Sequence, residues 1–477
     1  MRRFMLAGIV FILACGDLAA RAQAAMETGN KQPNVIWIVM DALRADSLSC
    51  HGYDRRTSPN MDALAARGVR AAHHFTQGLW TTVSVPSYMT GRYFPVMVHE
   101  PVEGTEVERK RPPEELLAPE IFRANGYHTA MITSHPWFTP RSRLWQVFDE
   151  AIFERPEDRD RAYYASFATL NRRIFQWLAN APRQPFFLYI HILDTHFPHI
   201  LDAPYDLWID PAFTSEQIQN GTPVSKYECR FSPEEQRHLQ GLYDGSILSS
   251  DHQLGLLFWK FETLGLLDGS VIVIGSDHGD LLGEDGMRWG HVPASYDLLM
   301  QVPFILAGPG VPPGRVVNDV TENVDIVPTL VELLRLETNA AFDGRSILPL
   351  LREEGKPEGR PYALSKYVAG GYDGKPGLIL RGKDFKYEWD MYNEREYLWP
   401  MPDAFPNRPN VIEEHPDAVA TLKGYLERKI LPKWEAYRAL PERVVVLSIH
   451  DTIATNAFPQ VSRPRWNWTS PMARMCR

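Results

Sequence analysis

The sequence predicts an α/β fold, with a doubly wound and mostly parallel central sheet, and two observations carry this prediction. Five short apolar runs are almost continuously hydrophobic, as strands buried on both faces of a parallel sheet are. Helical patterns separate these runs along the chain, which is the order expected of βαβ units. The runs are VIWIVM (35–40), TAMIT (129–133), FFLYIHI (186–192), VIVIGS (271–276) and VPFILAG (302–308).

Composition divides the 477 residues into three segments. Residues 1–24 begin with a short basic stretch, continue with an apolar run and end in Ala-Gln-Ala, which is typical of a cleaved signal peptide. All five strand-like runs lie between this segment and about residue 355, where the main domain is expected. Residues 355–477 have shorter, mixed patterns and predict a smaller C-terminal α+β subdomain.

The signal peptide predicts export, to the periplasm or outside the cell. Lipoprotein processing at Cys15 is the less favoured alternative, because Leu13 fits its consensus poorly. No later segment is long and apolar enough to predict a transmembrane helix. Cleavage would leave three widely spaced cysteines, and an odd number of this kind predicts no disulfide framework.

The charge balance excludes one class of partner. The net charge is −9, so the chain has no basic footprint for nucleic acid. The hydrophobic fraction of 44% and charged fraction of 23% are those of an ordinary globular protein.

One helix and two loops can be predicted between the strands. Ser232 is placed as a helix cap, followed by proline and by a capping-box glutamate, Glu235, so a helix should run from there to about Leu264. Residues 100–119 are charged and proline-rich and predict a surface loop. Residues 200–231 are irregular and rich in Pro, Tyr and Trp, which favours a loop that faces the substrate.

Metal-competent side chains follow three of the predicted strands. Asp41 and the pair Asp277-His278 come directly after their strands, and Asp194 and His196 follow the strand FFLYIHI by two and four residues. In an open α/β sheet, ligands bind beyond the carboxyl ends of the strands. Carboxylates with one imidazole suit a divalent cation, so one ion is expected, with zinc or manganese favoured over calcium.

Several motifs resemble the sulfatase branch of the alkaline phosphatase-like superfamily. The opening stretch PNVIWIVMDALRADSLSCHGYDRRTSPNMDALAARGVR is followed in order by MTGRYFP (89–95), GSDHGDLLGEDGMRWGH (275–291) and NVDIVPTL (323–330). The resemblance covers roughly residues 31–351 and implies a sulfatase-like catalytic domain over this range.

The resemblance implies roles for individual residues. Asp41, Asp277 and His278 correspond to metal ligands, and His291 and His196 to contacts with the ester oxygens or the leaving group. Arg44 is a candidate catalytic group or, equally, a structural ion-pair partner. Further candidates for substrate contacts are Asp194, His199 and Ser84.

The chain also departs from the family pattern. Ala42 replaces the second aspartate after the first strand, and His278 replaces an asparagine. The Cys-x-Pro-x-Arg element that yields formylglycine is absent, and SHPWF (134–138) stands in place of a Lys-Trp-His-Leu-Gly-like element. Counting back from Thr90 with the family's spacing places Thr81 at the nucleophile position, with Ser84 as the competitor and Thr82 as a weaker one.

These residues imply an exported, metal-dependent ester hydrolase that cleaves a phosphate ester or phosphodiester through a covalent threonine intermediate. The substrate would be a small-molecule, glycan or lipid ester. Three alternatives stay open: an arylsulfatase-like hydrolase of sulfuric esters without formylglycine, a phosphoryl-group transferase, and a catalytically silent homologue that binds carbohydrate or lipid. The oligomeric state cannot be predicted from the sequence.

Overall fold

A computed structural model describes residues 32–95, 100–102, 105–109, 112–138, 143–156, 163–219, 221–224, 229–352, 359–368, 376–402, 409–440 and 442–446. The predicted signal peptide and Cys15 lie outside these residues. Across the described ranges, no helix combines the length and the hydropathy that a membrane span requires.

The core of the fold is an eight-stranded sheet. Its strands are β1 (Asn34–Met40), β2 (Val69–Phe75), β3 (His128–Thr133), β4 (Glu150–Phe153), β5 (Phe186–Ile192), β6 (Ser270–Gly275), β7 (Phe304–Ala307) and β8 (Arg315–Glu322). The strand order across the sheet is β8-β2-β7-β6-β1-β5-β3-β4. Neighbouring strands are parallel except at β7, which runs antiparallel to β6 and to β2.

The mostly parallel sheet confirms the predicted fold class, but the predicted direction of one strand is wrong. The apolar run VPFILAG predicts a parallel strand, whereas β7 is antiparallel, with Phe304 paired to Gly275 at the end of β6. The chain leaves β6 and enters β7 at the same edge of the sheet, whereas a parallel pair needs a crossover to the opposite edge. The hydrophobic pattern of a buried strand does not encode its direction.

Helices cover both faces of the sheet because alternate strand residues are buried on opposite sides. In β1, Ile36 and Ile38 belong to one hydrophobic cluster, which includes residues of the helices Phe167–Ala179 and Pro233–Thr263. Trp37 belongs to the cluster on the other face. The long helix begins as predicted, since Ser232 Oγ accepts a hydrogen bond from the Glu235 amide at 3.2 Å.

The described residues contain α-helices and a few short segments of other helix types. The α-helices are Pro59–Arg67, Thr81–Thr90, Ala118–Ala124, Arg143–Gln146, Phe167–Ala179, Pro233–Thr263, Asp297–Met300, Ile326–Leu334, Leu348–Arg352, Pro416–Tyr425 and Leu431–Arg438. Short 3₁₀ segments occur at Ala45–Ser47, Ser49–His51 and Asn323–Asp325, and a π-helical segment at Leu426–Ile430.

A second, antiparallel sheet follows the central one in sequence. Its strands, in order, are β9 (Ala363–Val368), β10 (Pro376–Arg381), β11 (Phe385–Asp390) and β12 (Arg395–Pro400). Leu380, Leu422 and Leu426 are buried together between this sheet and the C-terminal helices. The boundary between residues 351 and 355 stays a prediction.

Three small sheets are formed elsewhere in the described residues, and two of them involve the predicted loops. Within 100–119, the strands Glu100–Val102 and Thr105–Arg109 pair with each other, and the second also pairs with Glu442–Val446. The loop prediction was wrong there, because this pairing joins parts of the chain that no local pattern connects. A two-residue hairpin, Ile218–Gln219 with Thr222–Pro223, lies within 200–231, and another joins Leu281–Leu282 to Trp289–Gly290.

Candidate functional site

The candidate site lies at the carboxyl ends of adjacent strands. Asp41 follows β1 directly, and Asp277 and His278 follow β6 after one serine. Because β6, β1 and β5 are neighbours in parallel register, their ends meet at one edge of the sheet. Asp41, Asp277 and His278 are all fully buried at this edge.

These three side chains form a group that could hold a metal ion. One ligand atom from each of Asp41, Asp277 and His278 lies within 4.8 Å of the others. His278 Nε2 is 3.7 Å from Asp41 Oδ1 and 3.5 Å from Asp277 Oδ2. Among the described residues, neither of those buried carboxylate oxygens has a hydrogen-bond partner. A buried unpaired carboxylate oxygen is costly, and a cation is the simplest way to satisfy two of them.

The tautomer of His278 also fits a metal ligand. Its Nδ1 donates a hydrogen bond to the Gly279 carbonyl at 3.0 Å. In a neutral imidazole the other nitrogen, Nε2, then carries a lone pair, and this lone pair lies beside two carboxylates. Metal-binding histidines commonly fix their second nitrogen in this way.

Backbone groups hold Asp277 in place. Its Oδ1 accepts hydrogen bonds from the amides of Ala42 at 3.2 Å and of His278 at 3.0 Å. Ala42 adopts φ 58°, in the left-handed region that disfavours a residue with Cβ. Strained backbone of this kind persists where the surrounding structure fixes it, often at functional sites.

The structure brings Thr81 to this group at the first position of the helix Thr81–Thr90. Its Oγ1 lies 3.4 Å from Asp41 Oδ2 and 3.4 Å from His278 Nε2. Ser84, one turn later, is fully buried, and its Oγ lies 2.7 Å from the Thr76 hydroxyl. Thr81 therefore contacts the carboxylate–imidazole group, whereas the Ser84 hydroxyl contacts Thr76.

Charge interactions within the site shift two pKa values. Burial raises the pKa of Asp41, but the imidazoles around it, with His196 the strongest, hold that pKa well below its ordinary value. Burial lowers the pKa of His278, but the carboxylates of Asp277, Asp41 and Asp280 outweigh it and raise that pKa. The site therefore strongly favours an ionised Asp41 and attracts positive charge.

Of two further predicted histidines, His291 lies next to His278 and His196 lies next to His291. The His291 ring is 4.6 Å from the His278 ring and 5.3 Å from the His196 ring, centroid to centroid. His291 Nδ1 contacts Asp280 Oδ1 at 3.1 Å, and His196 Nδ1 lies 2.7 Å from the Phe197 carbonyl. Burial lowers the pKa of His196, partly offset by the charge of Asp41.

The other three predicted residues are engaged in structural contacts. Arg44 donates to both oxygens of Asp46, at 2.9 and 2.7 Å, and also forms an ion pair with Glu284. Asp194 accepts hydrogen bonds from the Phe167 amide, at the start of a helix, and burial raises its pKa to about 6.

His199 is the third of these residues. Its Nδ1 lies 3.4 Å from the Ser246 hydroxyl, and its ring packs against Tyr243 with the centroids 5.5 Å apart. Burial lowers the pKa of His199 to about 3. The functional roles suggested for Arg44, Asp194 and His199 stay predictions.

Sequence reasoning missed two residues that contact Asp41. His135 Nε2 and His191 Nε2 each lie 3.2 Å from Asp41 Oδ2. His135 comes two residues after β3, so the strand-end rule that selected Asp194 would have selected it too. His191 is inside β5 and is the one imidazole in an otherwise apolar and aromatic run.

Comparisons with known proteins agree with this fold. The sulfatase family model matches residues 33–336. An ulvan-active sulfatase of Formosa agariphila is 28% identical over 407 residues, which cover 79% of this chain and 76% of that protein. A phosphonate monoester hydrolase of Agrobacterium radiobacter superposes with a TM-score of 0.67 at 21% identity, covering 85% of this chain and 96% of the other. A 2-O GAG sulfatase superposes with a TM-score of 0.68 at 20% identity, covering 87% and 95%.

The family match and the relatives show an ester hydrolase, and its fold is alkaline phosphatase-like. The family match spans more than half of the sequence, and the chain belongs to the sulfatase family. Enzymes of this family use a divalent metal ion, and the Asp and His groups at the strand ends could bind one.

Proposed function

We propose that the chain is an exported, metal-dependent hydrolase of phosphate esters or phosphodiesters that works through a covalent intermediate on Thr81. One observation carries the proposal. The hydroxyl of Thr81 lies 3.4 Å from both Asp41 Oδ2 and His278 Nε2, beside two carboxylate oxygens that have no partner among the described residues. An unmodified hydroxyl next to a cation site is the arrangement that activates an alcohol nucleophile.

The chain's own residues would hold the ion through Asp41, Asp277 and His278. An imidazole ligand and only two carboxylates favour zinc or manganese over calcium, which prefers six to eight oxygen ligands. When bound, the ion would lower the pKa of the Thr81 hydroxyl and offset negative charge on the substrate.

The reaction would proceed in two displacements. In the first, the Thr81 hydroxyl would release its proton to water, and its oxygen would bond to phosphorus as the bond to the leaving alcohol breaks. His291 would donate the proton that the leaving oxygen needs, and His196 would contact an oxygen of the ester. In the second, water attacks phosphorus, the bond to Thr81 breaks and the hydroxyl is restored.

The identity of the nucleophile favours phosphorus over sulfur. A formylglycine hydrate can expel its ester by breaking a bond at its own carbon, and position 81 is threonine, with no Cys-x-Pro-x-Arg element nearby. A threonine ester must instead be opened by attack on the central atom, a two-step route well suited to phosphoryl transfer. An alcohol in place of water in the second step would make the enzyme a transferase.

A sulfuric ester hydrolase is the second candidate. The ulvan-active sulfatase of Formosa agariphila aligns with 79% of this chain, which favours a sulfated glycan as substrate. In that case, Thr81 or another hydroxyl would attack sulfur. Export, in either case, rests on the signal-like composition of residues 1–24.

Initial rates on matched aryl substrates would test the proposal. The panel is a phosphate monoester, a phosphodiester, a phosphonate monoester and a sulfate ester, each with zinc, manganese or calcium. We expect the highest rate on a phosphorus ester with zinc or manganese, a loss of at least about 10³-fold in Thr81→Ala, and a far smaller effect of Ser84→Ala. Sulfate turnover that survives in Thr81→Ala would refute the threonine mechanism, and binding without turnover of any ester would indicate a silent homologue.

A further inference from the structure

One oxygen of Asp41 is surrounded by hydrogen-bond donors, whereas the other has none. Asp41 Oδ2 lies 3.2 Å from His135 Nε2, 3.2 Å from His191 Nε2 and 3.4 Å from Thr81 Oγ1. Asp41 Oδ1 has no hydrogen-bond partner among the described residues, and it faces His278 Nε2 at 3.7 Å. The two oxygens of one carboxylate are therefore in different environments.

His135, His191 and Asp41 also resemble a second metal site, since one ligand atom from each lies within 4.8 Å of the others. The hydrogen bonding of His135 contradicts that reading. Its Nδ1 accepts the backbone N–H of Trp137 at 3.1 Å, so this nitrogen carries a lone pair. In a neutral imidazole the proton then sits on Nε2, where it points to Asp41 as a donor and blocks metal ligation. His278 has the opposite tautomer, with the proton on Nδ1.

His191 ends a buried chain of hydrogen bonds. Its Nε2 donates to Asp41, so in the neutral ring its Nδ1 accepts, and the Tyr189 hydroxyl lies 2.8 Å away as the donor. The Tyr189 oxygen in turn lies 2.6 Å from the hydroxyl of Tyr88, which is in the helix that begins at Thr81. Tyr88, Tyr189 and His191 are each at most 1% exposed, so water does not compete for these bonds.

We infer that His135 and His191 are positioning residues, which hold Asp41 Oδ2 by hydrogen bonds so that Asp41 binds the metal through Oδ1 alone. This inference rests on the metal site proposed above. A buried carboxylate oxygen with three donors around it has no lone pair left for an ion, because it offers about two acceptor directions. The hydrogen bonds from His191 through Tyr189 to Tyr88 connect the Asp41 carboxylate to the helix that carries Thr81.

The arrangement fits the departures of the sequence from its family. Ala42 supplies no second carboxylate after β1, so the ligand set depends on how accurately Asp41 is oriented. Partners that orient a metal ligand usually change metal affinity 10- to 100-fold when removed. The loss of either histidine should therefore weaken metal binding without removing a ligand.

Metal affinity of the purified, metal-free protein is the direct test, measured by competition with a chromophoric chelator for zinc and for manganese. We expect one ion per wild-type chain and an affinity lowered about 10- to 100-fold in His135→Leu. His135→Gln, which keeps an N–H near the Nε2 position, should recover most of the loss. Tyr189→Phe, which removes the donor to His191, should weaken binding several-fold. His128→Ala is the matched control, because His128 is at the other end of β3 and contacts Glu150 at 2.8 Å.

The outcomes separate this inference from the proposed function. A wild type that binds no ion would overturn the metal site together with the inference. One bound ion, with equal affinity in the wild type, His135→Leu and Tyr189→Phe, would overturn the inference alone. Two ions in the wild type and one in His135→Leu would make His135 a ligand of a second site, which also overturns it. If His135→Leu does not fold, His135→Gln and Tyr189→Phe decide the question by the same measurement.

Discussion

Replacing Gly279 by alanine should damage the proposed metal site without changing any of its proposed ligands. An alanine Cβ at this position would lie 2.0 Å from the Leu298 carbonyl oxygen, and real Cβ contacts essentially never fall below 3.0 Å. The backbone would therefore have to move by about 1 Å. Gly279 has little room to move, because its amide donates to the Leu299 carbonyl at 2.9 Å and its carbonyl accepts from His278 Nδ1 at 3.0 Å.

We therefore expect Gly279→Ala to lower the free energy of unfolding by about 1 to 3 kcal/mol, as overpacked buried positions do. A displacement of about 1 Å in His278 should also reduce turnover on the order of 100-fold. Urea denaturation, metal affinity and initial rates measure these effects. Gly269→Ala is the control, because its nearest neighbour to a new Cβ would be the Leu266 carbonyl oxygen at 3.9 Å. Wild-type stability and metal affinity in Gly279→Ala would refute the reasoning.

Three further predictions follow from single groups. The pKa of Asp194 in the folded protein, about 6, lies above its ordinary 3.8. The free-energy cost of burying the ionised carboxylate is therefore absent below about pH 4 and complete above about pH 6. Asp194→Asn should thus gain stability over the wild type, on the order of 3 kcal/mol, as the pH rises through this window, and an equal difference at pH 4 and pH 7 in thermal melting would contradict it. Ala42→Gly should raise the free energy of unfolding by about 0.5 to 1 kcal/mol in urea denaturation, because glycine adopts φ 58° without strain, and a loss of stability would be evidence against strain there. Removal of the ion with a chelator should abolish turnover, and zinc or manganese should restore it; full activity in the chelated protein would exclude a metal-dependent reaction.

Local sequence patterns predicted the features that depend on residues close together in the sequence. Continuous apolar runs located β1 and β5 because both faces of a central parallel strand are buried. The capping signal at Ser232 located the long helix, because Ser and Glu there satisfy backbone amides within one turn. The strand-end rule brought Asp41 and Asp277 together, because the topology of the sheet places the ends of neighbouring strands at one edge.

The features that the sequence did not predict depend on contacts between residues far apart in the chain. The direction of β7 is set by a connection that returns to the same sheet edge, which its residues do not encode. Asp194 follows a strand just as Asp41 does, yet its carboxylate accepts from the Phe167 amide of a neighbouring helix. His191 contacts Asp41 from within an apolar strand, where an imidazole gives no periodic signal of its own.

Trapping the covalent intermediate would test the central claim most directly. The enzyme, loaded with zinc or manganese, would be mixed with an excess of the best phosphorus ester, quenched in acid within the first turnover and digested for mass spectrometry. We predict one phosphoryl group on the peptide that contains Thr81, located on that threonine by fragmentation and missing from Thr81→Ala. A phosphoryl group on Ser84, or full turnover with no phosphorylated residue at any quench time, would contradict the account.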